Sequence, residues 1–182
     1  HRSINGNQST TGYGQKKYKH PTINNPDRGW AGGRYFYEVP QMRLADIYLM
    51  YAEAANEVYG PTGSVPNGIT ALEAINIIRN RANVPDVESQ HYTDKETFKE
   101  TIRRERAVEL AFESHRWYDL RRWYVAHLPQ YTEKYALEFD KEYTYFKKNL
   151  IVDRVFEDRH YWLPFPNDNV TLYPEFYQNP GW

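Results

Sequence analysis

Apolar and polar positions recur with a helical period over the middle of this 182-residue chain and lose that period towards both ends. In residues 42–59, Leu44, Ile47, Tyr48, Tyr51, Ala55 and Val58 return at three- and four-residue intervals, which predicts an amphipathic helix. Ala45, Ala52, Ala54 and Ala55 let a neighbouring helix approach closely, and Gly60-Pro61 stops the helix. The turn-rich connector GPTGSVPNGI (60–69) leads to a second helix over 70–82. Thr70 and Glu73 have the spacing of a capping box, Ala71, Ala74, Ile75, Ile78 and Ala82 form the stripe, and Pro85 lies past the end. Two such helices predict an antiparallel hairpin.

A third helix is expected in KETFKETIRRERAVELAFESHRWYDLRRW (95–123), after a second capping-box spacing at Thr93 and Glu96, with a break near Ser114-His115. Phe98 and Ile102 start an inward stripe. Continued at about 100° per residue, that stripe meets Arg106, Glu109 and Glu113 beside Leu110. Charge on a core-facing stripe is costly unless paired and hydrogen-bonded. The pattern therefore predicts an internal ion network in which Arg106, Arg116 and Arg79 or Arg81 fork Glu109 and Glu113. The rival reading is a carboxylate pair for glycoside hydrolysis. Two glutamates one turn apart on one helix do not flank a scissile bond from opposite faces, and guanidinium neighbours would keep both ionised, removing the general acid. Trp117 and Trp123 are expected to pack against neighbouring helices.

Elsewhere the period is weaker. Residues 1–41 carry Gly6, Gly12, Gly14, Gly29, Gly32 and Gly33 with Pro21, Pro26 and Pro40, and read as loop-rich with one short strand in GYGQKKYKHP. Residues 130–149 read as a further helix through Tyr131, Tyr135, Leu137 and Phe139. RHYWLPFP suggests a short strand ending at Pro164, and LYPEFYQNPGW an extended, turn-like tail folded back over the helices. The fold class is mainly α.

Composition narrows the function. With 23 basic and 24 acidic residues the net charge is −1, which creates no field to gather a polyanion, so nucleic acid is not an expected partner. The eight basic and six acidic residues of 95–123 interleave, unlike a nucleic-acid stripe. Cysteine is absent, so disulfides and zinc-thiolate sites are excluded. The six histidines show no metal-ligand spacing, and no metal or cofactor is expected. No nucleophile elbow or phosphate-binding glycine motif occurs. Aromatics stand out at 16% of residues (17 Tyr, 8 Phe, 5 Trp). Sugar rings present C–H faces that stack on Trp and Tyr while neighbouring polar groups take the hydroxyls. Trp30, with Asp27 and Arg28 beside it in a glycine-rich stretch, fits that chemistry, and Tyr13, Tyr35 and Tyr37 are further candidates.

Four segments together resemble the C-terminal part of the SusD/RagB family: RLADIYLMYAEAANE (43–57), AINIIRNRANVP (74–85), IRRERAVELAFESHRWYDLRRW (102–123), and the closing YWLPFP (161–166) with QNPGW (178–182). The resemblance implies tetratricopeptide-like helical pairs with irregular loops, an extended aromatic tail, and a division into a loop-rich 1–41 and a helical 42–182. It also implies a non-catalytic glycan-binding lipoprotein on the outward face of the outer membrane of Bacteroidetes-type bacteria. Such a protein delivers oligosaccharide or polysaccharide to a SusC-like TonB-dependent transporter. Family members are longer and start at a lipidated cysteine. The chain is therefore expected to be a C-terminal piece whose partners include the missing N-terminal portion of the same protein. A helical-repeat scaffold that binds peptide or protein for import is the alternative.

Overall fold

The computed structural model describes residue 17 and residues 40–140, 142, 144–173 and 175–182. The strand expected in 12–21 lies outside the described residues except for Lys17, which sits in a turn, and the glycine-rich stretch around Trp30 lies wholly outside them. Two compact units result, Arg34–Arg116 and one that takes in Trp117–Trp182.

The first unit is built on three helices: α1 (Leu44–Tyr59), α2 (Ala71–Arg81) and α3 (Lys95–Glu109). α1 packs on both α2 and α3. Small residues make the close approach possible: Ala52 and Ala55 of α1, and Ala71 and Ala74 of α2, are all buried, around Leu49, Ile75, Ile78, Phe98, Ile102 and Leu110. The α1 face chosen by the sequence enters this core only in part: Ala55 is buried and Tyr48 and Tyr51 pack against it. The buried positions are Ala45, Asp46, Leu49, Ala52, Ala55 and Asn56, whereas Leu44 is 69% and Val58 64% exposed. α1 carries two apolar stripes that meet at Ala55, so periodicity alone cannot select between them. The alanine-rich side wins because it admits a second helix at short range.

The helix ends are fixed locally. The Thr70 hydroxyl accepts from the Glu73 N–H at 3.1 Å, and the Glu73 carboxylate accepts from the Thr70 N–H at 2.7 Å, closing the expected capping box. These bonds, the backbone one first, lower the Glu73 pKa. α3 is capped one residue later than the Thr93–Glu96 spacing suggested: Asp94 accepts from the Thr97 N–H at 2.9 Å. Backbone Thr97, then the Thr97 and Thr93 hydroxyls, hold the Asp94 carboxyl at about 2. Lys95 in turn caps α1, its Nζ donating to Glu57 O at 2.9 Å and Val58 O at 3.1 Å.

α3 stops at Glu109, earlier than the expected break. Phe112 (φ 64°) and Ser114 (φ 67°) take left-handed conformations, which no helix continues, and α4 (His115–Arg122) begins beyond them.

In the unit containing Trp117–Trp182, residues 130–149 are not a helix. After one turn, α5 (Pro129–Thr132), the chain forms a β-hairpin of β1 (Glu133–Phe139) and β2 (Phe146–Asp153). The strands are antiparallel, from Glu133 opposite Asp153 to Phe139 opposite Phe146, with a register shift between Lys134 and Tyr135. The segment 133–139 has no β-branched residue, so its propensity looks helical. Pairing with FKKNLIVD overrides it, helped by cross-strand contacts such as Phe139 with Phe146 (6.2 Å) and Lys148 Nζ 3.7 Å from the Tyr135 ring. The strand expected before Pro164 is instead a 3-10 turn at Asp158–Tyr161, followed by α6 (Asn167–Leu172) and the closing residues.

Candidate functional site

The charged stripe of α3 meets an arginine that lies just before α1. Arg43 Nε donates to Glu113 Oε2 and its Nη2 to Glu113 Oε1, both at 2.8 Å, forming a bidentate fork. Arg43 Nη1 also reaches Glu109 Oε1 at 2.9 Å, and Nη2 reaches the Glu109 carbonyl at 3.0 Å. Arg81 of α2 closes on the same Glu109 oxygen at 2.6 Å. The Glu113 side chain is only 2% exposed. Its bonds, ahead of those of Glu109, raise the Arg43 pKa above the ordinary arginine range.

The arginines divide their work differently from the sequence reading. Arg106, expected to fork Glu109 and Glu113, donates from Nη1 to Asp46 Oδ1 of α1 at 2.9 Å, both side chains being nearly fully buried. Arg79 pairs with Glu105 and gives its Nε to the Pro85 carbonyl at 2.7 Å. Arg81 does meet Glu109, and Arg116 lies half-buried in the first turn of α4. Arg43 and Asp46 were missed. Their signal was present in R-L-A-D: a charged pair three apart on a helix otherwise short of charge. In this arrangement both glutamates share Arg43, which ties the end of α3 to the chain just before α1.

The proposed ligand contacts Trp30, Arg28, Asp27, Tyr35, Tyr37 and Tyr13 lie outside the described residues. Within Trp117–Trp182 the structure gathers another set of rings. α4 sets Trp117 and Arg121 one turn apart, with the guanidinium 3.2 Å from the indole centroid and 5.3 Å from the Phe156 ring. Burial lowers the Arg121 pKa. Tyr124 stacks on Tyr161 at 4.2 Å, and Tyr161 Oη lies 2.6 Å from His127 Nδ1. Tyr124 Oη donates to Asp158 Oδ1 at 3.2 Å, a bond that raises the Tyr124 pKa. Trp117 is 52% exposed rather than packed away, because Arg121, not another helix, covers it; Trp123 is half-buried, with Arg122 4.6 Å from its ring. Exposed ring faces with polar groups at their edges can stack on flat, C–H-rich surfaces.

The closing QNPGW residues clasp the 159–165 segment. Gln178 replaces a strand partner: its Oε1 accepts from the Phe165 N–H at 2.7 Å and its Nε2 donates to the Phe165 carbonyl at 3.0 Å. Asn179 Nδ2 donates to Leu163 O at 2.6 Å. The Trp182 indole N–H is shared between Arg159 O and Trp162 O, each at 3.0 Å. Gly181 has φ +87°, and a Cβ there would stand 2.8 Å from Arg159 Cβ, so both conformation and space call for glycine.

The family model for the SusD family matches residues 1–182. SusD-like protein P25 of Formosa agariphila is 45% identical over 82 residues, covering 44% of this chain and 14% of that protein. A SusD-like protein of Bacteroides ovatus is 30% identical over 141 residues, covering 76% of this chain and 23% of that one. A solved SusD-like protein of Bacteroides fragilis superimposes with a TM-score of 0.62 at 36% identity, over 78% of this chain and 25% of that one. The chain thus spans a quarter or less of the length of these relatives. The family match along all 182 residues and the likeness to these relatives agree: the chain belongs to the SusD family.

Proposed function

We propose that this chain is part of a non-catalytic, carbohydrate-binding protein that works on the outward face of an outer membrane, held there by a lipid anchor. It captures oligosaccharide and passes it to a SusC-like TonB-dependent transporter. Membership of the SusD family along the whole chain carries the reading. No described helix is long and apolar enough to cross a membrane. The bonds of Glu109 and Glu113 to the same Arg43 give both carboxylates a structural task, which supports a binding rather than a hydrolytic role. The outward apolar side of α1, with Leu44, Ile47 and Val58 exposed, suits packing against the rest of a longer polypeptide. Trp30, with Asp27, Arg28, Tyr13, Tyr35 and Tyr37, supplies the ring-and-polar chemistry that sugars require.

Calorimetric titration of the full-length natural protein with a panel of oligosaccharides tests this. Saturable binding to a glycan, weakened at least tenfold by Trp30→Ala, is the expected result. Binding to peptides with no response to any glycan would replace this reading with the peptide-import scaffold.

A further inference from the structure

We propose that His160 is a pH-responsive latch for the QNPGW clasp. The Glu157 backbone N–H donates to His160 Nδ1 at 2.8 Å. That bond needs a lone pair on Nδ1, so the ring is neutral with its proton on Nε2. The Glu157 side chain accepts from the His160 backbone N–H in return, so the two residues close the 3-10 turn reciprocally. The same imidazole lies edge-on to Trp182 at 5.6 Å and to Phe156 at 5.6 Å. One ring therefore caps the turn and supports the indole that anchors the clasp. The turn also presents the Arg159 carbonyl to the indole N–H.

Protonation places an N–H on Nδ1 where the Glu157 N–H already points. Two donors then face each other, and the cap is lost. The charged neighbours do not offset this. On the turn itself, Glu157 is paired with Arg159 at 2.8 Å and Asp158 accepts from Tyr124. From α4, Arg121 Nη2 approaches the His160 carbonyl at 3.4 Å. From the tail comes the Trp182 indole, with the Arg159 guanidinium 5.2 Å from its ring. An imidazolium enters a site whose carboxylates are engaged and whose other near charges are guanidiniums. The clasp is closed while the His160 ring is neutral and loosens once Nδ1 carries a proton.

Nuclear magnetic resonance on the full chain tests the latch through the exchange protection of the Trp182 indole N–H and the side-chain nitrogen shifts of His160. The expected result is the Nε2–H form at pH 8 and a loss of protection of about fivefold by pH 5, the size of losing one cap. His160→Asn, whose amide oxygen accepts the same N–H at every pH, is expected to flatten the change. A His160 ring protonated on Nδ1 at pH 8, or wild-type protection unchanged down to pH 5, overturns the proposal. So does an unaltered transition in His160→Asn. Should that variant misfold, the two wild-type measurements decide alone.

Discussion

Arg43 grips Glu113 with two parallel hydrogen bonds of 2.8 Å across 70 residues of sequence, joining the chain just before α1 to the segment just after α3. A guanidinium matches a carboxylate in this way because both are flat and forked, and an ammonium cannot reproduce it. Arg43→Ala leaves the Glu113 carboxylate in its buried position without the fork. Urea denaturation is expected to show a loss of about 3–5 kcal/mol, the range for breaking a buried ion pair by removing one partner. Arg43→Lys should lose less. A loss below ~1 kcal/mol for Arg43→Ala would mean that the fork is ornament.

The Asp46–Arg106 pair sits deeper, with side chains 6% and 4% exposed. Removing either partner breaks a hydrogen-bonded ion pair in the core, whereas removing both takes out the two charges together. Asp46→Leu and Arg106→Met are each expected to destabilise by several kcal/mol, and the double variant by clearly less than their sum. A double-mutant cycle with additive effects would contradict the pairing.

Phe98 is fully buried and Val58 is 64% exposed, although both lie on apolar stripes. Phe98→Ala is expected to cost about 3–5 kcal/mol through the cavity it leaves. Val58→Ala in this chain should change stability by no more than ~0.5 kcal/mol. Thermal unfolding checks both: Phe98→Ala tests the α3 stripe, and Val58→Ala tests which side of α1 faces the core. In the full-length natural protein the same Val58→Ala change is expected to cost more, since the proposed packing partner is then present.

Asp94 predicts an acid response. Its carboxyl is held at about 2 against an ordinary value of 3.8 by the Thr97 N–H and the Thr97 and Thr93 hydroxyls. A depressed value means that folding favours the ionised form. The cap's contribution is complete above the ordinary value and declines as pH falls from about 4 to about 2. Side-chain carbon shifts should place the Asp94 midpoint near 2. Asp94→Asn, which caps without titrating, should remove that part of the acid destabilisation. A midpoint at the ordinary value would remove the cap from the account.

The helices were legible because their evidence is local. The Thr70–Glu73 box, the Gly60-Pro61 stop and the Phe98–Ile102 stripe lie within a few residues of the structure they specify. The charged continuation of that stripe pointed to an internal network, but not to its members. Arg43 is 66 and 70 residues from its glutamates, and its R-L-A-D setting marks a charge beside α1 without naming the partner. The hairpin was illegible for a related reason. Tyr135 and Leu137 become strand residues only because β2 exists to pair with them. Gln178 and Asn179 likewise gain their meaning from the backbone of Phe165 and Leu163.

Alone, the order of residues determined that this chain is mainly helical, where α1 to α3 lie, that their charges serve partly as internal ties, and which family it resembles. Tertiary structure decided which side of α1 is buried, which arginine holds which glutamate, that Glu133–Phe139 and Phe146–Asp153 pair as strands, and how QNPGW is clasped. The division follows from range: caps and periodicity act over one or two turns, whereas a fork, a strand pair or a buried face exists only when distant parts of the chain compete for the same place and one geometry fits.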